Sequence, residues 1–387
     1  MTILLTGGGT GGHITPLLAV ARELKQLDPS LNLIAVCEKN AKFVSLFDKE
    51  PAIDQVHQVR AGKFRRYSGM KLRHKITDIK TIGKNVRDSA YVLAGYRQAH
   101  KLIKDLKPDG VFIKGGYVGV PVGLAAARLK VPIITHDSDS TPGLANRIIA
   151  RWATVHATGM PAEYYDYPKD KTVFIGIPVT SDFKIVNDKE RTQYRDDLGL
   201  ADCQSVITLI GGSQGAEQLN NDMVSIAGRL MHSDEHLGII HVTGLAHERN
   251  IQQSYNNELL ADERRRVVVR GFVTDMYRYS GAADVVITRA GANATSELAI
   301  QRLPIIVVPG RLASGHQDKN ARILEEKGAA IVVAYGDSEG LYEAIQELLK
   351  NTDRRQDMAE QLHLLAKPHA TKHLAELILK TFSGQGR

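Results

Sequence analysis

Short apolar runs alternate with helically spaced apolar residues along the whole chain. In the first half, Ile3-Leu4-Leu5, Asn32–Val36, Val56–Val59, Gly110–Ile113, Val131–Thr135, Val155–Ala157 and Val173–Ile175 predict strands. In the second half, Ser205–Ile210, Ile239–Thr243, Val267–Arg270, Ala283–Thr288 and Pro304–Val308 do the same. Leu17–Leu24, the stretch from about Asp88 to Leu106, Pro121–Leu129, Ala321–Lys327 and the charged tail from Ser338 carry helical spacing. Strands with no polar alternation are covered on both faces, and strands alternating with helices build parallel sheets. The pattern restarts between about residues 165 and 190. The expected fold class is therefore α/β, two Rossmann-like domains with parallel sheets, divided as 1–175 and 176–367. Ligands of such sheets bind beyond the strands' carboxyl ends. The glycine turns of the two domains are accordingly expected to face each other across a cleft.

The first such turn is Thr6–Pro16, with five glycines and His13 between a strand and a helix. Pro16 suits a first helical turn and Thr15 an N-cap. The free N–H groups of the helix start predict an anion in front of it, and the His13 imidazole stands ready as acid or base. Gly7, Gly9 and Gly12 also satisfy a dinucleotide fingerprint, with Glu38 near the position of a ribose-binding acid, so an oxidoreductase competes. A Walker loop is excluded because no Gly-Lys-Ser/Thr follows. Gly115-Gly116-Tyr117 forms a second turn. Gly211–Ala216, including Ser213 and Gln214, forms a third, suited to a diphosphate. Ala292-Asn293-Ala294-Thr295-Ser296-Glu297 opens a helix, with hydroxyl donors at Thr295 and Ser296 and a carboxylate at Glu297 that suits the vicinal hydroxyls of a ribose. His316 and Gln317 read as a polar loop before Ala321, with both halves of the Gln317 amide available to sugar hydroxyls. Asp137-Ser138-Asp139 matches a three-residue metal motif of other sugar transferases, but so short a match is common by chance, and no metal is expected there.

The chain has 387 residues, is 43% hydrophobic and 24% charged, and carries only Cys37 and Cys203. That composition fits two soluble domains and excludes a disulfide framework. The N-terminus runs straight into a strand, which predicts no leader, and no apolar run approaches membrane-span length. Charge is localised: Arg60–Arg87 holds ten basic residues against the single acid Asp78, a net +9 in a chain whose total is +7. Phe64, Met70, Leu72, Ile76, Ile79 and Ile82 are interleaved. Such a stretch suits an anionic membrane surface, and it carries no nucleic-acid motif.

Taken together, Thr6–Pro16, Gly115–Pro121, Gly143–Arg147, Gly211–Ala216, Gly291–Glu297 and Gln317 with Asn320-Ala321 resemble the MurG family of N-acetylglucosaminyltransferases. The resemblance implies a glycosyltransferase B fold whose C-terminal helix, about 368–387, crosses back to the N-terminal domain. It implies inverting transfer from UDP-N-acetylglucosamine to the muramoyl C4 hydroxyl of undecaprenyl-diphospho-muramoyl-pentapeptide, by a peripheral protein at the cytoplasmic face of the membrane, with no cofactor or metal. Donor contacts would fall on Thr10, Gly11, Gly12, Asp139, Ser213, Gln214, Val273, Ala292 through Glu297, and Gln317. The acceptor diphosphate would meet Gly115, Gly116 and Tyr117, and His13 would be the general base. Two positions depart from the family pattern: Asp139 stands for an asparagine and Thr180 for an arginine expected near the phosphates. Other readings of the same fold are a different lipid glycosyltransferase or a UDP-sugar epimerase; a non-catalytic scaffold is a reading of another class.

Overall fold

The computed structural model describes residues 1–9, 11–40, 44–63, 79–212, 215–311 and 315–384, without the side chains of 79–86. Thr10, Ser213 and Gln214 lie outside the described residues, as does most of the basic segment. The chain divides into two compact units, Met1–Thr180 with Lys367–Arg387, and Ser181–Ala366.

The N-terminal unit is built on a seven-stranded parallel sheet. Its strands are β1 (Thr2–Gly7), β2 (Asn32–Glu38), β3 (Gln55–Val59), β4 (Gly110–Gly115), β5 (Ile133–Asp137), β6 (Val155–Thr158) and β7 (Thr172–Phe174), in the order β3-β2-β1-β4-β5-β6-β7. The C-terminal unit has a six-stranded parallel sheet of β8 (Ser205–Ile210), β9 (Leu237–Val242), β10 (Val267–Arg270), β11 (Val285–Thr288), β12 (Ile305–Val307) and β13 (Ile331–Val332), in the order β10-β9-β8-β11-β12-β13. Both sheets therefore change direction once, between β1 and β4 and between β8 and β11. The crevice for a ligand lies beyond the strand ends at that switch.

Two-sided burial explains the continuous apolar runs. Ile3, Leu4 and Leu5 are all fully buried. In β8, Ile207 and Leu209 enter one core cluster while Val206 and Ile210 enter others on the opposite face. Helix α1 (Gly11–Leu27) lies on one side of the N-terminal sheet, where Leu17, Val20 and Leu24 are fully buried. The C-terminal helix, Ala370–Ser383, packs against α1 and belongs to the same unit. Thr371 ties it to the backbone of Val179, accepting from its N–H at 2.9 Å and donating to its carbonyl at 2.7 Å.

Helix starts differ from the sequence reading in three places. The first helix begins at Gly11, so Thr15 is no cap: its hydroxyl donates back to the Gly11 carbonyl at 3.2 Å. Pro16 is the sixth helical residue, just past the four N–H groups that have no partner in any helix. The glycines continue straight into helical geometry, which composition alone does not reveal. The long helix α2 spans Ile79–Leu106 rather than starting near Asp88, running through the isolated Gly83. The helix α4 expected from Ala321 instead spans His316–Glu326, so His316 and Gln317 stand in its first turn. Between these two in chain order, α3 spans Ala292–Gln301.

Candidate functional site

At the β1/β4 switch of the N-terminal unit, the two glycine turns meet. A methyl group at Gly116, whose φ is +84°, would lie 2.3 Å from the Gly8 carbonyl oxygen, so only glycine permits this approach. Glu38, at the end of β2, braces the junction: its Oε1 accepts the Gly9 N–H at 2.9 Å and the Tyr117 hydroxyl at 3.1 Å. The acid that suggested a dinucleotide site is therefore a strut of the loop, only 8% exposed. That removes the residue on which the oxidoreductase reading depended.

His13 stands in the first turn of α1, with Gly11 buried and Gly12 half-buried beside it. Its ring edge faces Gly115, where a side chain would come within 3.3 Å of Cε1 and Nδ1. Nδ1 is buried without a hydrogen-bond partner among the described residues. Burial, then the nearby Lys114 ammonium, lowers the imidazole to about 3. The ring is thus neutral at working pH, with a nitrogen free to take a proton.

The surrounding polar groups are linked by hydrogen bonds, although His136 Nδ1 and Asn146 Oδ1 are buried without partners among the described residues. Lys114 is 2% exposed and donates to Ser138 Oγ at 2.7 Å. Burial lowers it to about 8, against the opposing pull of Asp137 and Asp139. Asp137 accepts from the Gly143 N–H and the Tyr167 hydroxyl, each at 2.8 Å. It pins the loop that follows β5. Asp139 is half-buried, and its carbonyl accepts the Tyr165 hydroxyl at 2.8 Å. His136 Nε2 donates to the Gly176 carbonyl at 2.9 Å, and Asn146 Nδ2 donates to the His136 carbonyl at 2.9 Å. Among the described residues, no three His, Cys, Asp or Glu side chains converge as a metal site. Lys114 was missed by sequence reasoning, although a lone charge inside the apolar β4 run was a readable signal.

In the C-terminal unit, the turns after β8, β11 and β12 lie side by side at the switch. The Gly211 N–H donates to the Val242 carbonyl at 2.9 Å, and the Gly215 N–H closes the turn on the Gly212 carbonyl at 2.9 Å. Beneath it runs a buried network: Tyr255 donates to His241 Nδ1 at 2.9 Å, His241 Nε2 donates to Asn220 Oδ1 at 3.0 Å, and Asn220 Nδ2 donates to the Thr243 carbonyl at 3.0 Å. The network fixes the helix that follows the turn against the end of β9.

Helix α3 brings Ala292, Asn293, Ala294, Thr295, Ser296 and Glu297 to the end of β11. The Thr295 proton is committed to the helix, being shared between the Gly291 and Ala292 carbonyls at 3.1 and 3.2 Å. Ser296 is half-buried. Glu297 is the outstanding group. Its carboxyl makes no hydrogen bond or ion pair with the described residues, and burial alone pushes it up to about 8. Gln317 is buried, with its Oε1 accepting the Gly310 N–H at 2.8 Å, so only the Nε2 half of the amide remains for a ligand. Asn320 Nδ2 donates to the Ala290 carbonyl at 3.0 Å and draws the two turns together. Val273 is half-buried after β10, on the far side of β9.

Two Rossmann-like units with glycine turns at both switch points, one bearing a neutral imidazole and the other a carboxyl without a partner among the described residues, fit a glycosyltransferase class. Residues 3–158 match the glycosyltransferase family 28 N-terminal domain, and residues 206–376 match the glycosyltransferase family 28 C-terminal domain. A protein of Desulforamulus reducens named UDP-N-acetylglucosamine–N-acetylmuramyl-(pentapeptide) pyrophosphoryl-undecaprenol N-acetylglucosamine transferase is 31% identical over 100% of both chains. The crystal structure of Acinetobacter baumannii MurG superposes with a TM-score of 0.66 at 26% identity, over 98% of this chain and 99% of that one. A UDP-GlcNAc 2-epimerase from Neisseria meningitidis, bound to UDP-GlcNAc, shares the fold at a TM-score of 0.66 and 15% identity, over 98% of this chain and 100% of that one. The chain belongs to the MurG family of N-acetylglucosamine transferases.

Proposed function

We propose that this chain transfers N-acetylglucosamine from UDP-N-acetylglucosamine to the muramoyl C4 hydroxyl of undecaprenyl-diphospho-muramoyl-pentapeptide, with inversion. The observation that carries the chemistry is the neutral imidazole of His13, held on a glycine turn with Nδ1 unpartnered among the described residues. His13 takes the C4 hydroxyl proton as the oxygen attacks the sugar's anomeric carbon. The bond from that carbon to the diphosphate breaks, and UDP leaves with the electron pair. An anionic substrate near His13 raises the proton affinity that burial lowered, bringing the base toward its working range. Donor binding falls to the C-terminal unit. The glycine turn after β8 offers N–H groups to the diphosphate, Glu297 accepts the ribose hydroxyls, Gln317 gives its Nε2 half, and Val273 meets the uracil through its backbone. Gly115, Gly116 and Tyr117 serve the acceptor diphosphate.

The acceptor's lipid requires work at a bilayer. No helix among the described residues is long and apolar enough to cross one. The proposed attachment is peripheral, at the cytoplasmic face, through Arg60–Arg87 and the exposed side of α2. Tyr91 is exposed on this helix, with the Arg87 guanidinium 5.6 Å over its ring. Near an anionic leaflet each Lys or Arg contributes about 1 kcal/mol, which salt screens. Exchanging Lys71, Arg73, Lys75 and Lys80 for Glu should abolish sedimentation with anionic vesicles; undiminished sedimentation would place the docking surface elsewhere.

The test of the reaction is transfer of radiolabel from UDP-N-acetylglucosamine to the lipid acceptor by the full chain. Labelled lipid with one UDP released per transfer is expected. Conversion of the UDP-sugar without acceptor would favour an epimerase, and binding without turnover a scaffold.

A further inference from the structure

Asn146 stands in the short helix Leu144–Ile149 that follows β5. Asp137 sets the entry to this helix by accepting the Gly143 N–H at 2.8 Å. Asn146 is only 1% exposed. Its Nδ2 donates to the His136 carbonyl at 2.9 Å, which fixes the orientation of the amide, because a carbonyl accepts only from the NH₂ half. The Oδ1 half is therefore a pure acceptor, buried and without a partner among the described residues.

His13 lies across Gly115 from it. A methyl built on Gly115 would have as its nearest neighbours Cε1 and Nδ1 of His13, both at 3.3 Å, and Nδ2 of Asn146 at 3.9 Å. The bare glycine thus leaves the two side chains facing one space. His13 is half-buried as a residue, yet its Nδ1 is buried and unpartnered among the described residues. The ring turns its Nδ1 edge inward, toward Asn146, and leaves Nε2 to the crevice. A buried acceptor and a buried ring nitrogen are each costly alone, and they answer one another when the nitrogen carries the proton. No direct hydrogen bond joins them, and a polar space between such partners is where a protein holds a water. The charged groups on the neighbouring elements are engaged elsewhere. Asp137 accepts from Gly143 and Tyr167, Glu38 accepts from Gly9 and Tyr117, and Asp139 bears on Lys114. Lys114 is the charge that acts on the ring.

We propose that Asn146 is a positioning residue for His13: through one bound water its Oδ1 accepts from Nδ1–H, which selects that tautomer and leaves Nε2 to take the hydroxyl proton of the acceptor. In that step the acceptor's O–H bond breaks and the Nε2–H bond forms. The imidazolium then holds both protons, and Asn146 gains and loses none. A charged ring donates more strongly than a neutral one, so the bridge tightens as the proton arrives. The inference rests on the reading of His13 as the general base.

The test uses the full chain with isotope-labelled histidine rings and nitrogen NMR, which tells Nδ1–H from Nε2–H. The signals lost in His13→Ala assign the residue, and thermal melts verify folding of each variant. The parent should show Nδ1–H at His13. Asn146→Ala should lose that preference, with kcat lowered about 10-fold, inside the roughly 10²-fold worth of the base itself, and the donor KM within about twofold. Asn146→Asp keeps an acceptor, so Nδ1–H should persist. Its carboxylate should also raise the proton affinity of the ring and move the acid limb of kcat to higher pH. Nε2–H in the parent, an unchanged tautomer in Asn146→Ala, or an acid limb that Asn146→Asp does not move overturns the inference. His13→Ala beside the double variant His13→Ala/Asn146→Ala separates the inference from the reading beneath it. Equal turnover in the two supports action through His13. A further loss of about 10-fold in the double variant overturns the inference and leaves the base reading standing. Near-normal turnover in His13→Ala removes the base reading, and the inference with it.

Discussion

Glu38 and Glu297 each stand beside a glycine turn at a sheet switch point, and their surroundings are opposite. Glu38 accepts the Gly9 N–H and the Tyr117 hydroxyl through Oε1, so one of its two oxygens is answered from within the protein. Glu297 has no such answer among the described residues, and burial pushes its carboxyl up to about 8. The contrast extends to the cations. Lys114 donates to Ser138 and is balanced by Asp137 and Asp139, whereas Arg289 has only burial acting on it. In the N-terminal unit the polar groups brace a scaffold that presents one reactive imidazole. In the C-terminal unit Glu297 and Arg289, of opposite sign, lack partners among the described residues, an arrangement that suits a ligand bearing hydroxyls and phosphates. The proposed function gives chemistry to one region and capture to the other.

The largest expected effect is on catalysis. His13→Ala should lower turnover at saturating substrates by roughly 10²-fold or more, the usual worth of a positioned general base. Near-normal turnover in steady-state assays would reduce His13 to a positioning role. The next effect is on stability. Gly116→Ala forces a methyl to 2.3 Å from the Gly8 carbonyl at a φ of +84°, so the N-terminal unit should lose about 1–3 kcal/mol. An unchanged urea midpoint would mean that the two turns do not meet as described.

A third effect follows from the buried histidines. His13 and His241 are lowered to about 3 and His156 to about 4, all by burial first, and His136 also lies well below its ordinary value. Unfolded histidines take up protons near their ordinary value of about 6.5, and the folded ones do so only at lower pH. The unfolded state therefore binds more protons below about pH 6.5, and stability should fall steadily as pH drops from there toward 4. A flat profile of denaturation midpoint against pH would contradict these burials. The smallest effect sharpens the contrast most finely. The folded Glu297 carboxyl titrates above its unfolded value, so it opposes folding increasingly from about pH 4.5 to 8. Glu297→Gln should raise the melting temperature of ligand-free protein at pH 8 by about 2 °C, while weakening donor binding. A lower melting temperature would reveal a partner for Glu297 that the described structure does not contain.

Most of the fold was legible because parallel strands buried on both faces leave an unmistakable apolar run, and β-α alternation fixes their direction. Glycine turns at strand ends located both switch points. Helix starts were read less well. Thr15 and Pro16 resembled a cap, but in the fold the helix runs through the preceding glycines. Individual roles at the site depended on contacts between distant segments. Glu38 reaches Tyr117 across 79 positions, and nothing local distinguishes that brace from a ribose ligand. The Gln317 amide was equally ambiguous until Gly310 claimed its oxygen. Arg289 was passed over because a single charge just after an apolar run carries no period and no motif.

The central claim is the division between chemistry in one unit and capture in the other. The most direct measurement is the UDP dissociation constant of His13→Ala set beside that of Glu297→Ala, by calorimetry under identical conditions. The account predicts an affinity within about twofold of the parent for His13→Ala and a loss of about 10-fold or more for Glu297→Ala, the scale of hydrogen bonds to a charged group. A strong loss in His13→Ala with Glu297→Ala unaffected would contradict it.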